Sequence, residues 1–360
     1  MKKRISYWLP VSLIVCVAVI ACIPFSAAAT NVPIQAYTIH EAYDYPIVPG
    51  TDEWEEFSKL DEMIAATQIP EDILESMDTQ ALVDTILQYP LLSTFRVFNT
   101  VSEGFDAIAE RCNGIPELLS RPDAVDVVYA KYKDFPIAQY FEGTGEIGYN
   151  AVFRQPFLEA LLYEAISTCK QDLPESKIAN IENTVMQKQA EKDSSGRYRK
   201  TDKVYIQMKI QDMVTPAVSV TNVRTPKGTL VPVYIRGEEL SAAEKQQTNA
   251  DMAYLFPNAV RIGEPTTNYN CHSYAWYSAT TSNRYWMNDP SAYMQDGSYT
   301  KRNGSAGLVN RNKAYYRNGV HSAVVVATYP ITVNSKWGEA GLYRHAVDYG
   351  PYSGPFTYWY

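Results

Sequence analysis

The sequence predicts an α+β protein in which an all-helical N-terminal domain precedes a compact domain, where a helix packs on a small antiparallel sheet. Two observations indicate this fold class. Apolar residues recur with helical spacing from about 52 to 192, and beyond about 200 they alternate with a period of two in short segments. The 360 residues are enough for two domains with separate cores. We therefore expect a helical domain over 30–195, a strand hairpin and helix over 196–260, and the compact domain over 261–360.

The first 29 residues are typical of an export signal. Met1-Lys2-Lys3-Arg4 is followed by an apolar run to Ile23 and by small residues up to Ala29. We favour cleavage after Ala29 over lipid attachment at Cys22, the alternative that the sequence leaves open. The protein is thus expected to be secreted, with cell-surface association as a further option. No later segment has the ~18 apolar residues of a membrane span.

The helical domain shows start signals at several points. Pro70 precedes two acidic residues, and Asp78 precedes an apolar stripe, so a helix is expected after each. Further helices are expected over 123–133, around 158–166 and over 174–192. Cys112 and Cys169 fall in this domain, where they are either bridged or two buried thiols. We expect a scaffold or a partner-binding domain here, because no acidic pair, histidine or glycine loop points to chemistry.

The segment 196–260 changes period. Val204, Ile206, Met208 and Ile210 alternate with polar residues, and a second strand is expected over 229–235 after a turn at Pro226-Lys227-Gly228. A helix over 238–254, capped by Ser241, should lead into the last domain.

Cys271 is the cysteine without an evident partner in the exported chain, which flags a reactive thiol. Pro265 and the polar residues up to Asn270 favour an extended approach, so a helix should begin at the cysteine. A helix N-terminus lowers a thiol pKa, and the N–H of Cys271 can donate to an oxyanion. Asn268 or Asn270 is expected to supply the second donor.

A base must come from elsewhere, because adjacent residues such as Cys271 and His272 point away from each other on a helix. His321 opens a β-branched run that predicts a buried strand, and we assign it as the base. Alternation over 331–336 places Ser335 on the apolar face of the next strand, where its hydroxyl is expected to orient the imidazole. Asn334, Asp348 and His345 are the alternates, His345 as a replacement base.

These residues resemble the papain-like cysteine hydrolase superfamily, which has a cysteine at a helix start, a histidine at a strand head and an NSWG-type motif. Here the motif is matched by Ser335-Lys336-Trp337-Gly338. The distance of 50 residues between Cys271 and His321, and the Tyr274-Ala275 pair after the cysteine, are similar to the compact CHAP and NlpC cell-wall hydrolases. The resemblance covers about a hundred residues. It implies cleavage of peptide or amide bonds, commonly in peptidoglycan, without a cofactor.

Charge and composition bear on partners. Residues 30–260 carry 20 Lys and Arg against 35 Asp and Glu, a net charge of −15, whereas 261–360 carry 9 against 5, a net charge of +4. The basic part suits an anionic cell-wall polymer, and the overall charge of −8 argues against nucleic acid. The sequence therefore predicts a secreted cysteine peptidase or amidase. The alternative is a non-catalytic adhesion protein with a papain-like shell, and zinc is disfavoured because no paired ligand spacing occurs.

Overall fold

The computed structural model describes residues 38–136, 146–169, 173–195, 219–302 and 304–360. For residues 146–153 only the backbone is described. The predicted export signal, Cys22 and the predicted strand over 204–210 lie outside the described residues. The part from Thr38 to Tyr360 forms one compact unit.

Helices fill the first half, as predicted. The α-helices are, in chain order, α1 Asp52–Glu55, α2 Leu60–Ala66, α3 Glu71–Ser76, α4 Thr79–Ile86, α5 Val101–Ala109, α6 Gly114–Ser120, α7 Ala124–Asp134, α8 Glu146–Cys169, α9 Glu175–Ser195, α10 Ala242–Leu255 and α11 Ser291–Gln295. Short 3₁₀ helices lie at Leu92–Val97 and Arg317–Gly319, and a π-helix lies at Ser273–Tyr277.

Side-chain caps explain where several of these helices begin. The Asp78 carboxylate accepts the N–H of Ala81 at 2.7 Å, and Ser241 forms a capping box with Glu244. Both caps were predicted from the sequence and are confirmed. Each satisfies N–H groups that have no partner within the helix.

Nine strands are described, in two antiparallel sheets. Strands β1 Ser219–Arg224 and β2 Leu230–Ile235 form a hairpin, whereas the other seven form one sheet in the order β3-β8-β7-β6-β5-β9-β4. The seven are β3 Val260–Gly263, β4 Lys301–Arg302, β5 Lys313–Tyr316, β6 Ser322–Thr328, β7 Ile331–Lys336, β8 Leu342–Ala346 and β9 Phe356–Trp359. The predicted strands after His321 and over 331–336 correspond to β6 and β7.

One face of the large sheet packs against the helices. Trp337, directly after β7, lies edge-on to Phe256 with ring centroids 5.2 Å apart, and Trp54 of α1 donates its Nε1–H to the carbonyl of Leu255 at 2.9 Å. One hydrophobic cluster contains residues of both the helical half and this sheet face. The predicted boundaries near 195 and 260 therefore do not separate two cores, although the mixture of helices and antiparallel sheet is compatible with the predicted α+β class.

The opposite face of the sheet carries a second cluster. It contains apolar residues of the β1–β2 hairpin, the π-helix and α11, together with Tyr269, Met287 and the sheet residues Val324 and Leu342. Trp276 of the π-helix donates to the Ser322 hydroxyl at 2.8 Å, which ties the helix to the start of β6. The segment that carries Cys271 is thus held against the sheet, at the end where β6 begins.

Within the described ranges, no helix combines the length and apolar character needed to cross a membrane. The three cysteines there, Cys112, Cys169 and Cys271, are all unbridged.

Candidate active site

Cys271 lies at the first position of a helical turn that continues as the π-helix Ser273–Tyr277. The Asn270 side chain caps this turn, since its Oδ1 accepts the N–H of Ser273 at 3.1 Å. The predicted helix start at the cysteine is confirmed, and the local reason is this asparagine cap after an extended approach.

Asn270 has no spare donor for an oxyanion. Its Oδ1 also accepts the N–H of Met287 at 3.0 Å, and its Nδ2 donates to the Met287 carbonyl at 2.6 Å and to Asn99 Oδ1 at 2.8 Å. All four hydrogen-bonding positions of the amide are therefore occupied. The residue holds the helix start in place, which corrects the predicted oxyanion role.

Asn268 is likewise directed elsewhere. Its Nδ2 donates to Glu239 Oε2 at 3.0 Å in an exposed loop, where Glu239 also accepts the backbone N–H of Thr267. The amide of Asn268 thus holds the loop before Cys271 against the segment before α10. The predicted oxyanion role of Asn268 is therefore wrong in this conformation.

The sulfur of Cys271 is surrounded by groups from both halves of the chain. The thiol contacts Asn99 Oδ1 at 3.9 Å, and the backbone N–H of Ser322 is a second hydrogen-bonding group on it. The carboxylate of Glu103, in the first turn of α5, lies close enough to act on the thiol by its charge. The backbone N–H of Asn99 donates to Glu103 Oε2 at 3.2 Å, so the turn before α5 is a single hydrogen-bonded unit.

Burial decides the protonation state of this thiol. Cys271 is only 1% exposed, and desolvation raises its pKa from 9.0 to about 12, more than the N–H of Ser322 and the helix start lower it. The sequence predicts a lowered pKa from the helix N-terminus, and that expectation is wrong for this conformation. The thiol is protonated at neutral pH because the helical half covers it.

His321 lies directly before β6, beside the Ser322 N–H that reaches the sulfur. Its imidazole is fully buried, stacks on Tyr352 with centroids 3.6 Å apart, and meets the Tyr316 ring edge-on at 4.8 Å. Neither ring nitrogen has a hydrogen-bond partner among the described residues. Burial, and secondly the neighbouring His272, hold the pKa of His321 well below its usual range, so the ring is neutral.

Ser335 does not orient His321. Its hydroxyl pairs with His345 Nε2 at 2.7 Å and accepts the indole N–H of Trp337 at 2.9 Å. The pairing of Val333 with His345 across β7 and β8 brings His345 next to Ser335. The predicted side of the strand is correct, but the histidine that the serine contacts is a different one.

The alternates also have other partners. Asn334 accepts the Nε–H of Arg344 at 3.1 Å on the opposite side of β7 from Ser335. The Asp348 carboxylate lies 3.8 Å from Lys59 Nζ at a partly exposed position. His345 is buried, and desolvation lowers its pKa to about 4, so it is a neutral structural residue in this conformation.

His272 points away from the thiol, as expected for adjacent helical residues. Its Nδ1 lies 2.8 Å from the Ser322 hydroxyl, and the side chain is fully buried. The same hydroxyl accepts the Trp276 indole N–H. His272 therefore anchors the helix to β6.

Comparisons of the chain with protein-family models, with curated proteins and with solved structures gave no match.

A search of the described ranges for three or more His, Cys, Asp or Glu side chains arranged to hold a metal ion found none. The thiol of Cys271 contacts the Asn99 amide and the start of β6. His321 lies at that strand start, but neither of its ring nitrogens is hydrogen-bonded to the sulfur among the described residues. A thiol and a neutral imidazole are suited to nucleophilic acyl chemistry once a movement brings them together and opens the sulfur to a substrate.

Sequence reasoning missed Asn99, Glu103 and Tyr352. Thr100 and Glu103 show a capping-box spacing, which indicates a helix start. It indicates no link between the preceding Asn99 and a cysteine 172 residues further along the chain. Tyr352 is one of 28 tyrosines, and nothing in its neighbourhood distinguishes it.

Proposed function

We propose that this protein is a secreted cysteine-dependent amidohydrolase or peptidase that acts on peptide bonds, with bacterial cell-wall peptide as the substrate class. The observation that carries the proposal is the position of Cys271. Its sulfur sits at a capped helix start and contacts the N–H of Ser322, the residue next to a histidine whose two nitrogens have no partner in the described structure.

The proposed chemistry starts from a neutral pair. His321 accepts the thiol proton as the Cys271 sulfur attacks the amide carbonyl carbon, which gives a tetrahedral oxyanion. The N–H of Cys271 is a donor for that oxyanion. The protonated His321 then gives its proton to the leaving amine, and a thioester remains.

Hydrolysis of the thioester completes the reaction. His321 removes a proton from water, the resulting hydroxide attacks the thioester carbonyl, and the sulfur leaves and recovers the proton from the imidazolium. The net change is one amide and one water converted into one carboxylic acid and one amine.

The proposal requires that a substrate can reach the sulfur of Cys271. Because Cys271 is 1% exposed, the turn that carries Asn99 and Glu103 must move for a substrate carbonyl to reach the sulfur. The described conformation is therefore the resting one. Lid movements of this kind precede chemistry in many hydrolases.

The test is amine release from purified bacterial cell-wall fragments by the wild type, Cys271→Ala and His321→Ala. We expect new amino groups with the wild type and a loss of at least about 100-fold in each variant. Asn268→Ala is the matched control, since its amide bonds Glu239 rather than the site, and it should retain the wild-type rate. Equal rates in the wild type and Cys271→Ala would remove the hydrolase proposal.

A second candidate, a non-catalytic cell-surface binding protein, is favoured by the burial and the raised pKa of Cys271. It predicts that the wild type and Cys271→Ala bind cell-wall fragments equally in a pull-down and that neither releases amines.

A further inference from the structure

The imidazole of His321 is fixed between two aromatic rings. The Tyr352 ring lies parallel to it, with an interplanar angle of 8° and a centroid distance of 3.6 Å. The Tyr316 ring lies edge-on to both, at 4.8 Å from the histidine and 6.2 Å from Tyr352. His321, Tyr316 and Tyr352 are all at most 2% exposed, so these contacts leave the imidazole little freedom to rotate.

Tyr352 is itself held by the helical half. Its hydroxyl donates to the backbone carbonyl of Val97, and its ring packs edge-on against Phe98 at 5.2 Å. The next residue, Asn99, contacts the sulfur of Cys271. Three consecutive residues of the helical half therefore link the two groups. Val97 and Phe98 contact Tyr352, which stacks on His321, and Asn99 contacts the thiol.

In the described part of the chain, no hydrogen-bonding group orients the imidazole of His321. Ser335 pairs with His345, and Asp348 pairs with Lys59. A carboxylate or amide beside a catalytic histidine has two tasks, to fix the ring and to favour its charged form. A stacked phenol ring performs the first task, since packing fixes the plane of the imidazole.

We propose that Tyr352 is the positioning residue of His321, taking by stacking the place that an orienting polar side chain fills elsewhere. This inference rests on the proposed hydrolase function. It also assigns a role to the helical half, which holds Tyr352 through Val97 and Phe98 instead of acting only as a scaffold.

The direct test is a ¹H–¹³C NMR spectrum of the histidine rings. The chain has 4 histidines, so single substitutions assign each resonance. A ring stacked at 3.6 Å shifts the His321 Cε1–H upfield, and we expect Tyr352→Leu to remove that shift while Tyr352→Phe keeps it. Tyr349→Leu is the matched control, because Tyr349 is an equally buried aromatic that packs against Phe256. Tyr352→Met replaces the leucine variant if the latter does not fold.

The kinetic test uses the maximal rate of amine release from cell-wall fragments and its pH profile. We expect Tyr352→Leu to lower that rate by about 10- to 100-fold, as misplacement of a catalytic group does, and to shift the limb of the profile that reports the base. Tyr352→Phe should lose less, and Tyr349→Leu should keep the wild-type profile.

The outcomes separate the two proposals. Loss of activity in Cys271→Ala and His321→Ala, with a normal rate and profile in Tyr352→Leu, overturns the positioning role and leaves the hydrolase standing. Undiminished activity in His321→Ala overturns the base role of His321 and with it the positioning role of Tyr352, whereas equal rates in the wild type and Cys271→Ala overturn the hydrolase. A wild-type His321 resonance without an upfield shift overturns the inference by itself.

Discussion

In the protein without substrate, Cys271 should be much less reactive than an ordinary thiol. The perturbation is iodoacetamide at pH 7, which alkylates only the thiolate. Desolvation raises the pKa of Cys271 from 9.0 to about 12, so the thiolate fraction falls from about 10⁻² to about 10⁻⁵. Alkylation is therefore expected to be at least about 1000-fold slower than that of a model thiol, because burial also hinders the reagent.

The assay is peptide mapping by mass spectrometry over a time course, with the other two described cysteines as internal references. Cys169 is only partly buried and should be labelled first, whereas Cys112, whose pKa burial also raises to about 12, should be as slow as Cys271. Glu103→Gln should speed the labelling of Cys271, since the carboxylate of Glu103 raises the thiol pKa and glutamine can still accept the Asn99 N–H.

Labelling of Cys271 at the rate of a model thiol, in protein that resists unfolding under the same conditions, would refute this reasoning. It would mean that the turn over the sulfur is open in solution or that the thiol is already ionised.

Three further predictions concern buried charged and titratable groups away from the reaction itself. Asp251 is 2% exposed, and desolvation raises its pKa from 3.8 to about 7, so the free energy of unfolding of the wild type should fall as pH rises from about 4 to 7. In urea unfolding, Asp251→Asn should gain about 4 kcal/mol relative to the wild type between pH 4 and 8. The control Asp61→Asn, at an exposed position, should gain nothing. Burial lowers the pKa of His272 and of His345 to about 4, so the unfolded state binds more protons than the folded state between about pH 6.5 and 4. On acidification over that range, each histidine should lower the free energy of unfolding by about 3 kcal/mol. His345→Gln should remove its part of this pH dependence, and an unchanged slope of stability against pH would contradict the lowered pKa of His345. Lys336 is fully buried, and its Nζ donates to three backbone carbonyl oxygens. In chemical denaturation, Lys336→Met should therefore lower the free energy of unfolding by at least about 2 kcal/mol. An unchanged midpoint would show that those carbonyl oxygens need no donor.

The parts of the fold that local sequence controls were predictable. Asn270 before Cys271 predicts a helix start because an asparagine side chain satisfies a free N–H wherever it stands. The β-branched run after His321 predicts β6 for a similar local reason.

The partners within the site were not predictable, because they depend on register and on contacts between distant segments. Alternation places Ser335 on the correct face, but only the pairing of β7 with β8 shows that His345 is its neighbour. Asn99 and Tyr352 reach the site from segments far apart in the chain, and a single sequence carries no signal for such contacts.

The pKa of the Cys271 thiol could also not be predicted from the sequence, because two opposing free-energy contributions determine it. A helix N-terminus favours the thiolate, and that contribution can be inferred from sequence. The opposing cost of burial depends on how tightly the helical half packs over Cys271, which is a property of the folded chain, and here the cost is the larger effect.

The most direct test of the account is to trap the acyl-enzyme. The wild type is mixed with cell-wall peptide fragments, quenched in acid within the first turnover and examined by intact-mass and peptide-mapping mass spectrometry. The account predicts a thioester adduct on Cys271 that is absent from Cys271→Ala and strongly reduced in His321→Ala. Release of amines without an adduct on Cys271, at the same rate in Cys271→Ala, would contradict it.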